Sequence, residues 1–387
     1  MLRTIRRPFG ASRPSVSGRA LRRFIHRPKL DDPIHVLGVG NLGKYIAHSP
    51  MKQASKPVIL LFHRPSLDIE WQSAGCGIQC ITDSVLDKRS GFRVEVLPPS
   101  SPSSSNESSQ KGSFEPIKYL IVATKTYMTT SALELVKGRL DSKSSILFLQ
   151  NGMGTMDKAS AEIFPDPESR PAYWAGICSA GVYSIGPFTI VHAGRGPLKV
   201  GLMEGNSGCF MDKRDAASTQ DGMIERLSQA GVLETTVLTS AEIKEAQLQK
   251  LVVNAIINPL TAIFRCQNGQ LLDNPTRFAL MKLLINETGP IVRALLHRPS
   301  DLFSDLNLLD LVLTVAHKTG ANTSSMLQDV QVGQRTEIDY INGYVVAQGT
   351  RLGLPNTHSA TIVRLVKEQQ VVQDQHVAAL FPIGEIL

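Results

Sequence analysis

The chain has 387 residues, 42% hydrophobic and 19% charged, more than the roughly 250–300 residues one core normally covers, so two domains are expected. No stretch approaches the roughly 20 uninterrupted apolar residues of a membrane-spanning helix, and no membrane partner is expected. The net charge of +7 suggests nucleic acid only until it is located. Residues 1–30 carry eight Arg and one Lys and no acid, and without those nine the rest holds 32 basic against 34 acidic residues, a net of −2. A slightly acidic body lacks the electrostatics that phosphate backbones require, so no nucleic-acid partner is expected.

Residues 1–30 are Arg-rich, Ser-containing and free of acids, with Leu2, Ile5, Phe9, Leu21, Phe24 and Ile25 spread among them. That composition fits a mitochondrial presequence, and the matrix is the expected location; a plain basic tail is the alternative. Folded sequence should begin near Pro33. Ile34–Gly38, Pro57–Phe62, Tyr119–Ala123 and Ser145–Leu149 read as buried strands alternating with helical segments, the pattern of a parallel sheet covered on both faces. Between the first strand and its helix lies Gly38-Val39-Gly40-Asn41-Leu42-Gly43. Here G-x-G-x-x-G glycines permit a tight turn, close approach of backbone to a pyrophosphate, and tight helix–strand packing. The helix start adds free amides and a positive dipole end. An ordinary glycine-rich turn is the competing reading. The second strand runs into Arg64 where an NAD site usually carries an acid. An arginine there can pair with a 2′-phosphate, which favours NADP(H), although a solvated surface Arg fits the same position.

Pro98–Ser113 is rich in Ser and Pro and low in apolar residues, and reads as a disordered insertion. From Thr239 onward the texture is helical, and Thr239-Ser240-Ala241-Glu242 fits a capping box at a helix start. Met281–Leu296, Leu302–His317 and Ile338–Gln348 carry apolar residues at helical spacing. The expected fold is therefore α/β, with a Rossmann-type N-terminal domain over 32–240 and an all-helical C-terminal domain over 241–387. Exposed helical faces in the second domain permit a homodimer. The five cysteines form no paired-ligand pattern; reduced thiols and no metal site are expected.

Lys250, Asn254 and Asn258 fall at i, i+4 and i+8 of a helix, along one side with about 80° of drift. The residues between them are all apolar, so a lysine and two amides on a largely buried helix need partners, and a small anionic ketoacid would supply them. Pro259 is expected to disturb the helix just past Asn258. A buried structural network is the alternative. Beside a ketone oxygen an ammonium stabilises developing charge and donates the proton.

These segments, with Gln150-Asn151-Gly152-Met153-Gly154-Thr155, Ser324-Ser325-Met326-Leu327-Gln328-Asp329 and Thr336-Glu337-Ile338-Asp339-Tyr340-Ile341-Asn342-Gly343, resemble in order the signature blocks of ketopantoate reductases, over about residues 34 to 371. The resemblance implies NADPH-dependent reduction of 2-dehydropantoate to (R)-pantoate on the route to pantothenate and coenzyme A. It also implies a helical domain like the C-terminal domain of 6-phosphogluconate dehydrogenase. It makes Lys250 the proton donor and places Asn254, Asn258, Asn268 and Ser325 on the substrate. Lys125 and Asn151 line the cofactor and cleft, and Glu337 lies near the cofactor and the catalytic lysine. An opposite charge there would keep Lys250 protonated and oriented. Ser325 also reads as a helix cap and Glu337 as a solvated first-turn acid. Two other readings remain: a reductase of another small 2-ketoacid, and a catalytically silent mitochondrial relative associated with RNA or translation.

Overall fold

The computed structural model describes residues 32–52, 58–98, 115–204, 221–296 and 298–382. The leader and nearly all of the Ser-rich stretch lie outside them, as does Cys209. Cys76, Cys80, Cys178 and Cys266 are free thiols.

The first part opens with β1 (Ile34–Leu37), α1 (Asn41–His48), β2 (Val58–Phe62), α2 (Ser66–Ser73), β3 (Gly77–Thr82), β4 (Val85–Ser90) and β5 (Arg93–Val96). It continues with β6 (Tyr119–Val122), α3 (Thr129–Glu134), β7 (Ser145–Phe148), α4 (Thr155–Glu162), β8 (Ala172–Cys178), β9 (Gly181–Gly186), β10 (Thr189–Gly194), β11 (Leu198–Leu202), α5 (Gly222–Gln229) and β12 (Thr236–Leu238). Eight strands form one sheet in the order β5-β2-β1-β6-β7-β8-β11-β12. The six from β5 to β8 are parallel, and β8 meets β11 antiparallel. The order reverses between β1 and β6, the switch point at which open α/β sheets bind ligands. All four residues of β1, β6 and β7 are buried, as expected of strands covered on both faces. One apolar layer packs beneath α1 and α5 and a second beneath α3 and α4.

A second sheet, β4-β3-β10-β9, lies outside that frame and was not anticipated. β4 is almost wholly exposed, and strands without buried apolar runs leave little trace in a hydrophobicity pattern.

The helical part comprises α6 (Ser240–Phe264), α7 (Pro275–Ala294), α8 (Asp305–Lys318), α9 (Ser325–Gln331), α10 (Asn342–Leu352), α11 (Thr357–Lys367) and α12 (Val377–Leu380), around one apolar core. No helix among the described residues is long and apolar enough to cross a membrane. The capping box at the start of α6 is formed: the Thr239 hydroxyl accepts from the Glu242 amide, and the Glu242 carboxylate accepts from the Thr239 amide.

One expectation is corrected here. α6 continues unbroken through Pro259. A proline in a helix deprives the carbonyl four residues earlier of its donor, and here that carbonyl, of Ala255, accepts from Asn342 Nδ2 at 2.9 Å. A side chain from the start of α10 satisfies the freed group, and the helix tolerates the ring.

Candidate active site

At the switch point the three glycines separate by what surrounds them. Gly38 has φ +99°, and a Cβ there would stand 2.5 Å from the Thr124 amide nitrogen at the end of β6. A Cβ on Gly43 would overlap the Gly38 carbonyl oxygen. Gly40 is different: it is exposed, caps the N-terminus of α1, and a Cβ on it would meet nothing within 4 Å. Val39 is buried beneath the turn, while Asn41 and Leu42 are half-buried in the first turn of α1. Free amides therefore face an open space that only a side chain or a bound group would fill. The amides and positive dipole end of α1 suit a dinucleotide pyrophosphate in charge. Arg64 lies two residues past the end of β2, the strand that pairs in parallel with β1. Its guanidinium is 57% exposed and only 3.8 Å from the Glu70 carboxylate, a loosely held charge available to a phosphate.

The stripe of the helical domain meets the nucleotide domain at the end of β8. Lys250 is half-buried, and its ammonium donates to the Cys178 carbonyl at the end of β8, 3.4 Å away. Burial lowers its pKa from the ordinary lysine value, while the neighbouring Cys178 and the Glu337 charge oppose the shift. Burial also pushes the Cys178 thiol up. Asn254 and Asn258, one and two turns further on, are half-buried and make no side-chain hydrogen bond among the described residues. Amides in that state leave donors and acceptors for a ligand.

Glu337 is buried and held from the other domain. One carboxylate oxygen accepts from the Thr126 amide at 3.0 Å and the other from Asn151 Nδ2 at 3.2 Å. It makes no ion pair with Lys250, so it supports the ammonium through space and does not orient it by contact. Neither is it the solvated first-turn acid that the sequence also allowed. Lys125, the residue before Thr126, pairs with Asp329 of α9. Asp329 escaped sequence reasoning; the available signal was a cleft-lining lysine without an assigned counter-ion. The loop after β7 seals the seam, with the Met153 amide donating to the Tyr340 carbonyl at 2.8 Å. Gly152, at φ +76°, lies so close that a Cβ would overlap that same carbonyl oxygen.

Asn268 and Ser325 lie beyond the far end of the stripe. Asn268 is buried, donates to Thr319 Oγ1 at 2.8 Å, and keeps a buried Oδ1 without a partner. Ser325 is exposed in the first turn of α9. The helix-cap role considered for it belongs to Ser324, whose hydroxyl accepts from the Leu327 amide and meets Thr261 Oγ1 of α6 at 2.7 Å. No hydrogen bond joins Asn268 or Ser325 to Lys250, Asn254 or Asn258 among the described residues. The structure thus gathers Lys250, Glu337, Asn151 and Lys125 along the domain seam and leaves Asn268 and Ser325 within the helical domain, past the far end of the stripe.

A glycine cradle at the switch point, together with a half-buried lysine and two free amides on the helical domain, defines a dinucleotide-dependent oxidoreductase. Comparison with known proteins narrows the class. The family description "Ketopantoate reductase PanE/ApbA" matches residues 34–205, and "Ketopantoate reductase PanE/ApbA C terminal" matches residues 242–370. The chain belongs to the ketopantoate reductase family. It is 30% identical to the probable 2-dehydropantoate 2-reductase of Schizosaccharomyces pombe, over 88% of this chain and 97% of that protein. It is 27% identical to a ketoisovalerate reductase of Gibberella fujikuroi, over 84% and 79%. Among solved structures, the probable 2-dehydropantoate 2-reductase of Bacillus subtilis superposes with a TM-score of 0.62 at 25% identity, covering 87% of this chain and all of that one.

Proposed function

We propose that this protein reduces 2-dehydropantoate to (R)-pantoate with NADPH, on the route to pantothenate and coenzyme A. The observation that carries the reading is the Lys250, Asn254, Asn258 stripe. It is a lysine with depressed basicity and two amides without protein partners, in a stretch of α6 where the residues between them are all apolar.

The nicotinamide, when bound, supplies a hydride to the ketone carbon. The amides of the α1 N-terminus and Arg64 hold the phosphate end of the dinucleotide. Asn254 and Asn258 bind and orient the ketoacid's oxygens, with Asn268 and Ser325 closing the outer end. Lys250 stabilises the charge that develops on the ketone oxygen and transfers its proton there, help typically worth about 10²–10⁴-fold. Because burial weakens the ammonium's hold on its proton, the transfer is easier than from a solvated lysine. Glu337 supplies the nearby negative charge that keeps enough of Lys250 protonated. Asn151 and the Thr126 amide fix that carboxylate in place.

A second reading is favoured by the likeness to a ketoisovalerate reductase: reduction of another small 2-ketoacid in the same site. The net charge of −2 outside residues 1–30 disfavours an RNA-associated role. The leader's composition supports import into the mitochondrial matrix, and the exposed helical faces are compatible with a homodimer.

The test is oxidation of NADPH, followed by its absorbance, by protein lacking residues 1–30 and offered 2-dehydropantoate beside 2-ketoisovalerate and other 2-ketoacids. Preferred turnover of 2-dehydropantoate supports the first reading and preference for another ketoacid the second. Inactivity with all of them, despite NADPH binding, overturns both. A fluorescent fusion of residues 1–30 that stays out of mitochondria would refute the import proposal.

A further inference from the structure

Each reduction consumes a hydride and a proton, so a lysine that donates the proton ends as a neutral amine and must regain one from solvent before the next turnover. The structure offers a place for that return. At the joint between the domains lies a cavity of about 60 Å³, lined by Gln150, Gly154, Asp157, Met203, Lys244 and Gln247 among others. Its polar lining is unsatisfied. The buried Oε1 atoms of Gln150 and Gln247 have no hydrogen-bond partner, and Lys244 makes no hydrogen bond or ion pair among the described residues. Asp157 is exposed, so the cavity reaches the surface.

Its position relative to Lys250 follows from two registers. Gln247 and Lys244 precede Lys250 on α6 by three and six residues, and each three-residue step rises about 4.5 Å between side chains that neighbour on the helix surface. On the opposite wall Phe148, two residues before Gln150, pairs with Ala175, three residues before Cys178, whose carbonyl accepts from the Lys250 ammonium. The Gln150 amide nitrogen is tied to Thr129 Oγ1 at 3.1 Å, which fixes its oxygen as the free end. Two acceptors lacking donors and a lysine lacking an acceptor are groups that water satisfies together. One water requires only on the order of 10–15 Å³ of such space.

We propose that Gln150, Lys244 and Gln247 hold a chain of water that returns a proton from solvent to Lys250 after each turnover. They act as positioning residues, without touching substrate. The proton enters at the Asp157 rim, O–H bonds along the chain break and re-form in sequence, and the Lys250 amine gains an N–H. That proton replaces the one given to the substrate oxygen, so the balance needs no other reactant. Burial lowers the Lys244 pKa and Asp157 opposes the shift, as expected of a lysine whose hydration is confined to this cavity. The inference rests on Lys250 being the proton donor.

The experiment compares Gln247→Met, Gln247→Glu and Lys244→Met with the wild type in steady-state reduction of its best ketoacid, in H2O and D2O and with deuterated NADPH. Gln247→Met and Lys244→Met should lower kcat about tenfold, enlarge the solvent isotope effect and shrink the effect of deuterated NADPH, because proton return becomes limiting. Imidazolium buffer should restore kcat with rising concentration, and Gln247→Glu, which keeps its acceptor oxygens, should stay near wild type. Variants with wild-type kcat and solvent isotope effect overturn the proposal, as does a lowered kcat indifferent to both D2O and buffer. If Gln247→Met does not fold, Lys244→Met carries the test, since removing an unpaired, partly buried charge does not strand a counter-ion. Full activity in Lys250→Met would overturn the donor assignment itself, an outcome that does not depend on the cavity variants.

Discussion

The Lys125 ammonium donates to both carboxylate oxygens of Asp329, at 2.8 and 2.7 Å, across 204 residues of chain. Lys125 follows β6, beside the strand end against which Gly38 packs, and Asp329 lies one turn past Ser325 in α9. The next residue, Thr126, gives its amide to Glu337. Two acids of the helical domain therefore hold one short loop of the nucleotide domain, so the placement of the Glu337 charge that acts on Lys250 depends on this loop.

The two halves of the Lys125–Asp329 pair should not be equivalent. Burial raises the Asp329 carboxyl pKa, and Lys125 opposes the shift. Lys125→Met strands a mostly buried carboxylate, at a cost of about 1–3 kcal/mol, whereas Asp329→Asn removes the charge that burial penalises and should cost less. Since the native state holds the Asp329 proton more tightly than the unfolded chain, its stabilising contribution is present in acid and is lost as pH rises through the folded value. Asp329→Asn should therefore gain on the wild type as pH rises through the acid range. Denaturant unfolding measures both effects, and equal losses in the two variants would contradict the asymmetry.

Lys250→Met should exchange activity for stability. With Lys250 as the proposed proton donor, its loss should lower kcat by about 10²–10⁴-fold with NADPH affinity retained. In the wild type the folded pKa lies below 10.5, so between the two values the unfolded chain binds more protons and stability rises with pH. Below that window the buried charge is a standing cost. The variant should then melt at a higher temperature than wild type at neutral pH, and a lower melting temperature would show that the ammonium's contacts outweigh its burial.

Glu337→Gln removes the negative charge that favours the Lys250 ammonium while leaving an acceptor for the Thr126 amide. The alkaline limb of the pH–kcat profile, where Lys250 loses its proton, should move to lower pH, and kcat at neutral pH should fall by about tenfold or more. A profile displaced in neither direction would mean that Glu337 serves the seam alone.

Arg64→Ala should weaken NADPH binding by about 10–100-fold, the worth of a charge-assisted hydrogen bond, and leave NADH binding nearly unchanged. Titration of both nucleotides by fluorescence decides this, and equal losses would place Arg64 away from the 2′-phosphate.

What could be read from the sequence was what repeats or lies close together along the chain. Four of the six parallel strands announce themselves as buried apolar runs, and the α6 stripe follows from four-residue spacing. Partners that arrive from far away left no such mark. Pro259 reads as a helix breaker because the amide it lacks is visible locally, while Asn342, which repairs the loss, acts across 87 residues. Asp329 went unnoticed beside Lys125 for the same reason. The second sheet escaped because β3 pairs in parallel with β10, more than a hundred residues later, and its edge strand Val85–Ser90 is exposed and charged.

The glycine turn allows fold and function to be separated within six residues. Gly43→Ala would drive a methyl group into the Gly38 carbonyl, where both partners are backbone and neither can yield. Expression or thermal stability should suffer first, by the 1–3 kcal/mol or so typical of overpacking. Gly40→Ala meets open space at an ordinary φ of −69°, so the fold should be unchanged and the melting temperature should match wild type. What the new methyl group occupies is the approach of the pyrophosphate to the α1 amides. NADPH affinity should fall at least tenfold while the apo protein stays intact. Measuring the melting temperature and NADPH binding for both variants distinguishes the roles, and a Gly40→Ala protein that binds NADPH as tightly as wild type would place the pyrophosphate elsewhere.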